Sequence, residues 1–524
     1  FRKHGYEKAV IFGHALEGNL HFVFTPDFNL SEEVKRYELF MDEVCELVAG
    51  KLAGSLKAEH GTGRNMAPFV EKEWGSEAYA LMKKIKQLFD PEELLNPGVI
   101  LNDNPLVHLE NLKPLPEADP IIDKCIECGF CEVHCPSRDL SLSPRQRITT
   151  WRELKRLERE GNDAKRTKEM ELAYQYSGIE TCATDGLCAT SCPVGIDTGK
   201  LIKKLRHNKQ SDWTKKQADW IADNLSVVSR AARVGLALAD LSGSLLGRQN
   251  IATLAKAAHR ISGGRIPLWD TYLPGAATGL PSLPDLPQVL PEGQEVIYLP
   301  SCLCRTLGPS ADKRDRSVPQ TVLAVLQKSG CSVAYPPLPE RLCCGMAFDS
   351  KGFKETGKRK LKELEEALEK ATRSGEVPVL CDTSPCAHRM ITELPAHLHV
   401  YDPVGFIYHF LLERLDLQPL DETVLLHPVC SVKKLGLEHQ LLEIGKRCAK
   451  KAVIPDDSGC CGFAGDRGIT FPELNASALK GLREKVPEDC RKGYSSSRMC
   501  EVGLSHHSGI TYQSIFSLLE AASR

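Results

Sequence analysis

The sequence predicts a multidomain α/β protein, and three observations carry that prediction. A chain of 524 residues exceeds what one hydrophobic core organises. Its last part repeats itself, since Cys343-Cys344-Gly345 returns 117 residues later as Cys460-Cys461-Gly462. Each copy opens on a strand-like run, Val296 to Leu299 before Cys302 and Thr423 to Leu426 before Cys430. Helical stretches follow, which is the pattern of two α/β units of about 110 residues each.

The elements before the repeat read as follows. Residues 7–24 form a hairpin, with Ala9 to Gly13 a buried strand, Leu16-Glu17-Gly18-Asn19 the turn, and Leu20 to Phe24 the return. Alternation puts Leu20, Phe22 and Phe24 on the core face and leaves His21 on the other, facing His14. Residues 31–50 and 76–89 have helical periodicity. Pro91, Pro97, Pro105, Pro114, Pro116 and Pro120 mark a way out of a first domain over 1–104. A helical domain bearing clustered cysteines is expected over 118–206, with Trp151 to Tyr176 as helix. A helical connector ending in a Pro-rich linker covers 207–290. The two repeated cysteine-rich units take 294–415 and 420–524. Leu225 to Leu246 is apolar but contains Arg230, Arg233 and Asp240, so it reads as an amphipathic helix, packed on the protein or lying on a membrane surface. The start at Phe1, without Met, reads as a fragment.

A net charge of −2 supplies no general field for nucleic acid, and no nucleic-acid partner is expected. No window reaches 18 uninterrupted apolar residues, so no transmembrane helix is expected. The outlier is cysteine, with 21 residues. Most cluster at short spacings, unlike a disulfide scaffold.

Cys125-x2-Cys128-x2-Cys131-x3-Cys135-Pro136 is the bacterial ferredoxin run. Three close thiolates wrap one face of a 4Fe-4S cluster, and the fourth reaches a second cluster. A zinc site wants two separated Cys pairs and fits poorly. The second run, Cys182-x5-Cys188-x3-Cys192-Pro193, has Asp185 at its second ligand position. The pairing expected is Cys125, Cys128, Cys131 and Cys192 on one cluster, and Cys182, Cys188 and Cys135 on the other with Asp185 at the fourth corner. A carboxylate binds iron more weakly than a thiolate, which gives a three-iron cluster or a four-iron cluster with an Asp ligand. The alternative is that Asp185 is a loop residue and another cysteine completes the site. Cluster thiolates need a reducing compartment, so the expected location is cytoplasmic, free or peripheral at the inner face of the membrane.

The Cys-Cys-Gly units resemble the cysteine-rich domains of heterodisulfide reductase and of the iron–sulfur subunit of glycolate oxidase, over roughly residues 295–524. That resemblance implies one cluster on Cys302, Cys343, Cys344 and Cys381, with Cys304 or Cys386 as further ligands. It implies another on Cys430, Cys460, Cys461 and Cys500. Cys381-x4-Cys386 is wider than the family's Cys-x-x-Cys, and Cys500 stands alone. A redox-active dithiol, or plain structural cysteines, is the alternative.

Gly13-His14 through Gly18-Asn19-Leu20-His21 offers two imidazoles, and Glu59-His60-Gly61-Thr62-Gly63-Arg64 a carboxylate and a third. Such a set suits a divalent metal with open positions. With Asn96-Pro97-Gly98, these stretches resemble the C-terminal part of FAD-linked D-2-hydroxyacid dehydrogenases of the vanillyl-alcohol oxidase type. The usual Asp of the first motif is Glu17 here. The resemblance implies an α+β fragment of a flavin oxidase C-terminal domain, a zinc-like metal on His14, His21 and Glu59, His60 as base, and Asn96 and Asn19 beside FAD. In this order the whole chain resembles the C-terminal half of FAD- and iron–sulfur-containing D-lactate dehydrogenases. The implied activity is oxidation of a small D-2-hydroxyacid, D-lactate first and D-2-hydroxyglutarate as alternative, with electrons leaving through the clusters to a quinone or cytochrome. The rival class is an electron-transfer or thiol–disulfide subunit related to heterodisulfide reductase.

Overall fold

The computed structural model describes the chain except residues 8, 25, 29, 58–60, 113–114, 263–267, 284–293 and 310–314. It divides into two compact units, Phe1–Ala118 and Asp119–Arg524.

In the first unit, strands β1 (Val10–Phe12) and β2 (His21–Val23) pair antiparallel, Phe12 opposite His21 and Ile11 opposite Phe22. The helix Ser31–Cys45 buries Tyr37, Phe40, Met41 and Cys45, which the helical period places along one face. Phe40 meets Phe1, Tyr6, Phe22 and Phe24, and these rings make the core of the unit. Two expectations fail here. Leu20 is 71% exposed rather than on the core face, and Val10, Ile11 and Phe12 are each more than half exposed. A two-stranded ribbon has only one helix-covered side; Phe24 packs into it, while Phe22 stays partly exposed at its edge.

The second unit begins with loops held by helices. Helix Pro144–Glu160 starts at a capping box, Ser143 with Gln146, with Pro144 in its first turn. It buries Ile148, Leu154 and Leu157 together with two arginines, Arg147 and Arg152. Ala164–Tyr174 and Thr198–Asn208 complete this helical part. Helices Asp212–Asp223, Leu225–Leu246 and Arg248–Ile261 follow. The helix Leu225–Leu246 has the span expected and packs on the protein through Leu236 and Ala239, while Val227, Val234, Leu238, Leu241 and Leu245 are exposed on its other side.

Two four-stranded parallel sheets close the chain. The first, β3 (Glu295–Leu299), β4 (Ser332–Ala334), β5 (Val379–Cys381) and β6 (Val400–Tyr401), has the order β4-β3-β5-β6. The second, β7 (Leu420–Leu426), β8 (Ala449–Val453), β9 (Cys490–Ser495) and β10 (Thr511–Ser514), has the order β10-β9-β7-β8. Read in sequence order within each unit, both are 2-1-3-4, so the sequence repeat is a repeat of topology. The two share a core in which Val296 and Tyr298 belong with Val424, Leu426, Tyr494 and Phe516. The expected fold class, multidomain α/β with an α+β first part, a helical cysteine-bearing part and two repeated α/β units, is the fold found.

Candidate functional site

Parallel strands carry chemistry at their carboxyl ends, where loops enter helices. Cys302 follows β3, Cys386 follows β5, Cys430 follows β7 and Cys500 follows β9. Cys302 opens a short helix capped by Ser301, whose side chain accepts from the Cys304 N–H. In the first unit of the repeat the thiols neighbour one another in a chain: Cys302 beside Cys343, Cys343 beside Cys344, Cys344 beside Cys386, and Cys386 beside Cys381. In the second the chain runs from Cys430 to Cys460, Cys461 and Cys500. The glycine of each motif is required by geometry. Gly345 has φ +76°, and a Cβ there would stand 2.1 Å from the Gly357 carbonyl oxygen; Gly462 has φ +71°, with the Leu474 oxygen at 2.6 Å. Each glycine N–H also points at the first thiol, to Cys343 Sγ at 3.3 Å and Cys460 Sγ at 3.4 Å. The Cys302 and Cys430 thiols are held well above their usual range by the neighbouring cysteine and by burial. Cys386 thus joins this group. Cys304 does not: its thiol faces Thr383 at 3.5 Å.

In the helical part, Cys125, Cys128, Cys131 and Cys192 line one small hollow with Ile126, Ile148 and Val194. Burial raises the Cys125 thiol and pushes Cys131 up to about 11. Arg152 reaches from the helix Pro144–Glu160 to the Cys125 carbonyl at 3.0 Å and pairs with Glu127 at 3.0 Å. Cys182 lies deeper, with Cys135 and Cys188 as neighbours, and burial raises both the Cys182 and Cys188 thiols. Ser137 Oγ is 3.2 Å from Cys135 Sγ, and Arg147 Nη1 donates to that sulfur at 3.5 Å. Asp185 lies in the loop between Cys182 and Cys188. Its Oδ1 accepts from the Leu187 N–H at 2.8 Å, its side chain neighbours the Cys460 thiol, and burial raises its pKa. Ala183 and Leu187 pack on Cys460 and Cys430, so the second cysteine run abuts the second repeated unit. That contact has no signal in cysteine spacing.

In the first unit of the fold, the His14 and His21 rings are 5.9 Å apart and nearly perpendicular, and Phe12 stacks on His21. The turn between them is fixed locally: Asn19 Oδ1 accepts from the His14 N–H at 2.9 Å, and Gly13 sits where a Cβ would meet the Asn19 oxygen at 2.0 Å. Asn96 has φ +43°, beside Pro97. Glu59 and His60 lie outside the described residues.

Three protein-family profiles match: FAD linked oxidases, C-terminal domain, over residues 1–100; 4Fe-4S dicluster domain over 121–196; and Cysteine-rich domain over 296–388. The chain joins an FAD-linked oxidase C-terminal domain to iron–sulfur domains. Its cofactors are accordingly FAD and 4Fe-4S clusters. Among curated relatives, the glycolate oxidase subunit GlcD of Bacillus subtilis is 41% identical over 87 residues, 17% of this chain and 18% of that protein. The D-2-hydroxyglutarate dehydrogenase of Haemophilus influenzae is 29% identical over 271 residues, 42% of this chain and 26% of that protein. The glycolate oxidase iron-sulfur subunit of Escherichia coli is 24% identical over 388 residues, 68% of this chain and 83% of that protein. The chain spans between 16% and 26% of the length of the first four curated relatives it matches.

The thiol sets fit iron–sulfur clusters. Buried thiols that resist ionisation when alone are ligands for a soft, positively charged centre. Cys125, Cys128, Cys131 and Cys192, four thiols around one hollow, suit a cluster as well. Among the described residues no three His, Cys, Asp or Glu side chains close on a single-ion site. No described helix is long and apolar enough to cross a membrane.

Proposed function

We propose that this chain is part of an FAD- and iron–sulfur-dependent D-2-hydroxyacid dehydrogenase that oxidises D-lactate to pyruvate and passes the electrons to a quinone or cytochrome. The observation that supports it is the His14–His21 pair, held by its own turn in an oxidase-type domain, on the same chain as the thiol groups. An electron carrier alone needs no such pair. FAD supplies the hydride acceptor at C2 of the substrate. His14 and His21, with Glu59, would hold a divalent metal such as zinc and thereby orient the substrate hydroxyl and carboxylate. His60 would take the hydroxyl proton, and Asn19 and Asn96 would border the flavin.

Cys125, Cys128, Cys131 and Cys192 would hold one cluster, and Cys135, Cys182 and Cys188 another, with Asp185 at or beside its open corner. Cys302, Cys343, Cys344, Cys381 and Cys386 would serve a third centre, and Cys430, Cys460, Cys461 and Cys500 a fourth. The test is anaerobic bleaching of the flavin in the FAD-loaded protein by D-lactate, D-2-hydroxyglutarate, glycolate and L-lactate. D-lactate should bleach fastest. If no hydroxyacid bleaches the flavin while dithionite still reduces the iron centres, the dehydrogenase reading is wrong. The rival reading, an electron-transfer or thiol–disulfide subunit, then replaces it, its electron-transfer form favoured by the long match to an iron–sulfur subunit.

A further inference from the structure

We infer that two buried arginines, Arg147 and Arg206, set the reduction potential of the centre at Cys135, Cys182 and Cys188 above that of the centre at Cys125, Cys128, Cys131 and Cys192, and so give electron flow its direction. The inference rests on the ferredoxin reading of both cysteine runs.

The two sites differ in how their cations are answered. At the first site each arginine has a carboxylate: Arg152 pairs with Glu127, and Arg145 with Glu132, both at 3.0 Å. The site also opens outward, with Cys128, Ile126 and Phe130 exposed. At the second site Arg147 is 1% exposed and Arg206 is 4% exposed. Arg147 donates to the Gly178 carbonyl at 2.7 Å, to Ser137 Oγ at 2.8 Å and to Cys135 Sγ. Arg206 donates to the carbonyls of Ile179, Cys182 and Ser350, each at 2.7 Å. Among the described residues no carboxylate ion-pairs with either; Glu180, which acts on Arg206 from farther off, is itself paired with Arg467 at 3.0 Å. Acidic groups do stand on the far side. Asp197 Oδ1 is 3.9 Å from Cys188 Sγ, and Lys434 lies across Gly186 from it. Asp185 is half-buried in the same loop.

Two unanswered guanidiniums in the interior are costly unless a negative group faces them. A cluster on cysteine thiolates is such a group. Reduction adds one electron and no bond, and each buried cation favours the more negative state. The Arg147 N–H that donates to Cys135 Sγ acts in the same direction. One electron therefore leaves the reduced first centre, which is oxidised, and enters the second, which is reduced. The second centre abuts Cys460 through Asp185, so the path continues into the last repeated unit.

The test is a potentiometric titration of the iron-loaded protein followed by electron paramagnetic resonance, with Cys128→Ser used to assign the first centre's signal. In the wild type the second centre should be reduced at the higher potential. Arg147→Gln should shift the equilibrium between the two singly reduced forms at least tenfold toward the first centre, about 59 mV for one electron. Glu127→Gln should unmask Arg152 and raise the first centre instead. A wild type in which the first centre has the higher potential overturns the inference, as does an iron-loaded Arg147→Gln with unchanged potentials. If Arg147→Gln fails to hold iron, Arg206→Gln and Glu127→Gln decide, and unchanged potentials in both overturn it. A wild type with iron loaded but no 4Fe-4S signal overturns the ferredoxin reading beneath it.

Discussion

Gly345→Ala should empty the first thiol group of the repeat, and the structure sets the scale. The residue sits at φ +76°, where an L side chain costs about 1–2 kcal/mol. The added Cβ would lie 2.1 Å from the Gly357 oxygen and 2.9 Å from its carbonyl carbon. Both neighbours are backbone within the helix Lys354–Ala371, so no side chain can rotate away. Relief requires the Cys343-Cys344 turn to move by about an ångström, and the total cost should reach about 3–5 kcal/mol, the range of severe core substitutions. Gly436→Ala is the control. It has φ +69° and nothing within 4 Å of the built Cβ, so it carries the backbone cost alone. The assay is iron per chain together with the thermal midpoint of each variant. Gly345→Ala should lose iron and melt well below Gly436→Ala. Equal iron and equal midpoints would refute the argument from close approach.

Other outcomes follow from the same geometry. Cys135→Ser should alter the spectrum of the centre at Cys182 and Cys188 and spare that at Cys125, Cys128 and Cys131; the reverse pattern would sink the pairing. His60→Ala should keep metal and flavin yet slow flavin reduction by about 10²–10⁴-fold, as loss of a positioned base does. His21→Ala should lose the metal as well, which metal analysis of the two variants separates. His427 is buried, and burial followed by Lys433 pushes its pKa down to about 4. The unfolded chain then binds that proton more readily, so stability falls as pH drops from about 6.5 toward 4, by up to about 3 kcal/mol. His427→Leu should flatten that slope in denaturation measured between those pH values; an unchanged slope would show that other groups carry it.

Much of the fold was legible because it rests on local pattern. The hairpin at 10–23, the helices at 31–45 and 76–89, and the strand before each Cys-Cys-Gly motif follow from alternation, periodicity and turn residues. What spacing could not supply was position in three dimensions. Cys386 joins the thiol chain because β5 ends at Cys381 and the next helix turns Cys386 back toward it, while Cys304, two residues from Cys302, points instead at Thr383. The exposure of Leu20 was missed because alternation names two faces without saying how much of either is covered. The contact between Asp185 and Cys460 spans most of the second unit and leaves no local trace. Arg147 and Arg152 look alike on a mixed-charge helix, and only the surrounding carboxylates tell them apart.

The loops bearing Cys386 and Cys500 are tied to each other. Ser384 N–H donates to the Ser496 carbonyl at 2.9 Å, and the two hydroxyls meet at 2.7 Å, all of it buried. Neither loop can be rebuilt without disturbing the other. A centre formed at one loop would therefore bias the other, and loading of the pair should be cooperative. Half-loaded molecules should be scarce during iron delivery, and damage that strips one pocket should hasten loss from the other.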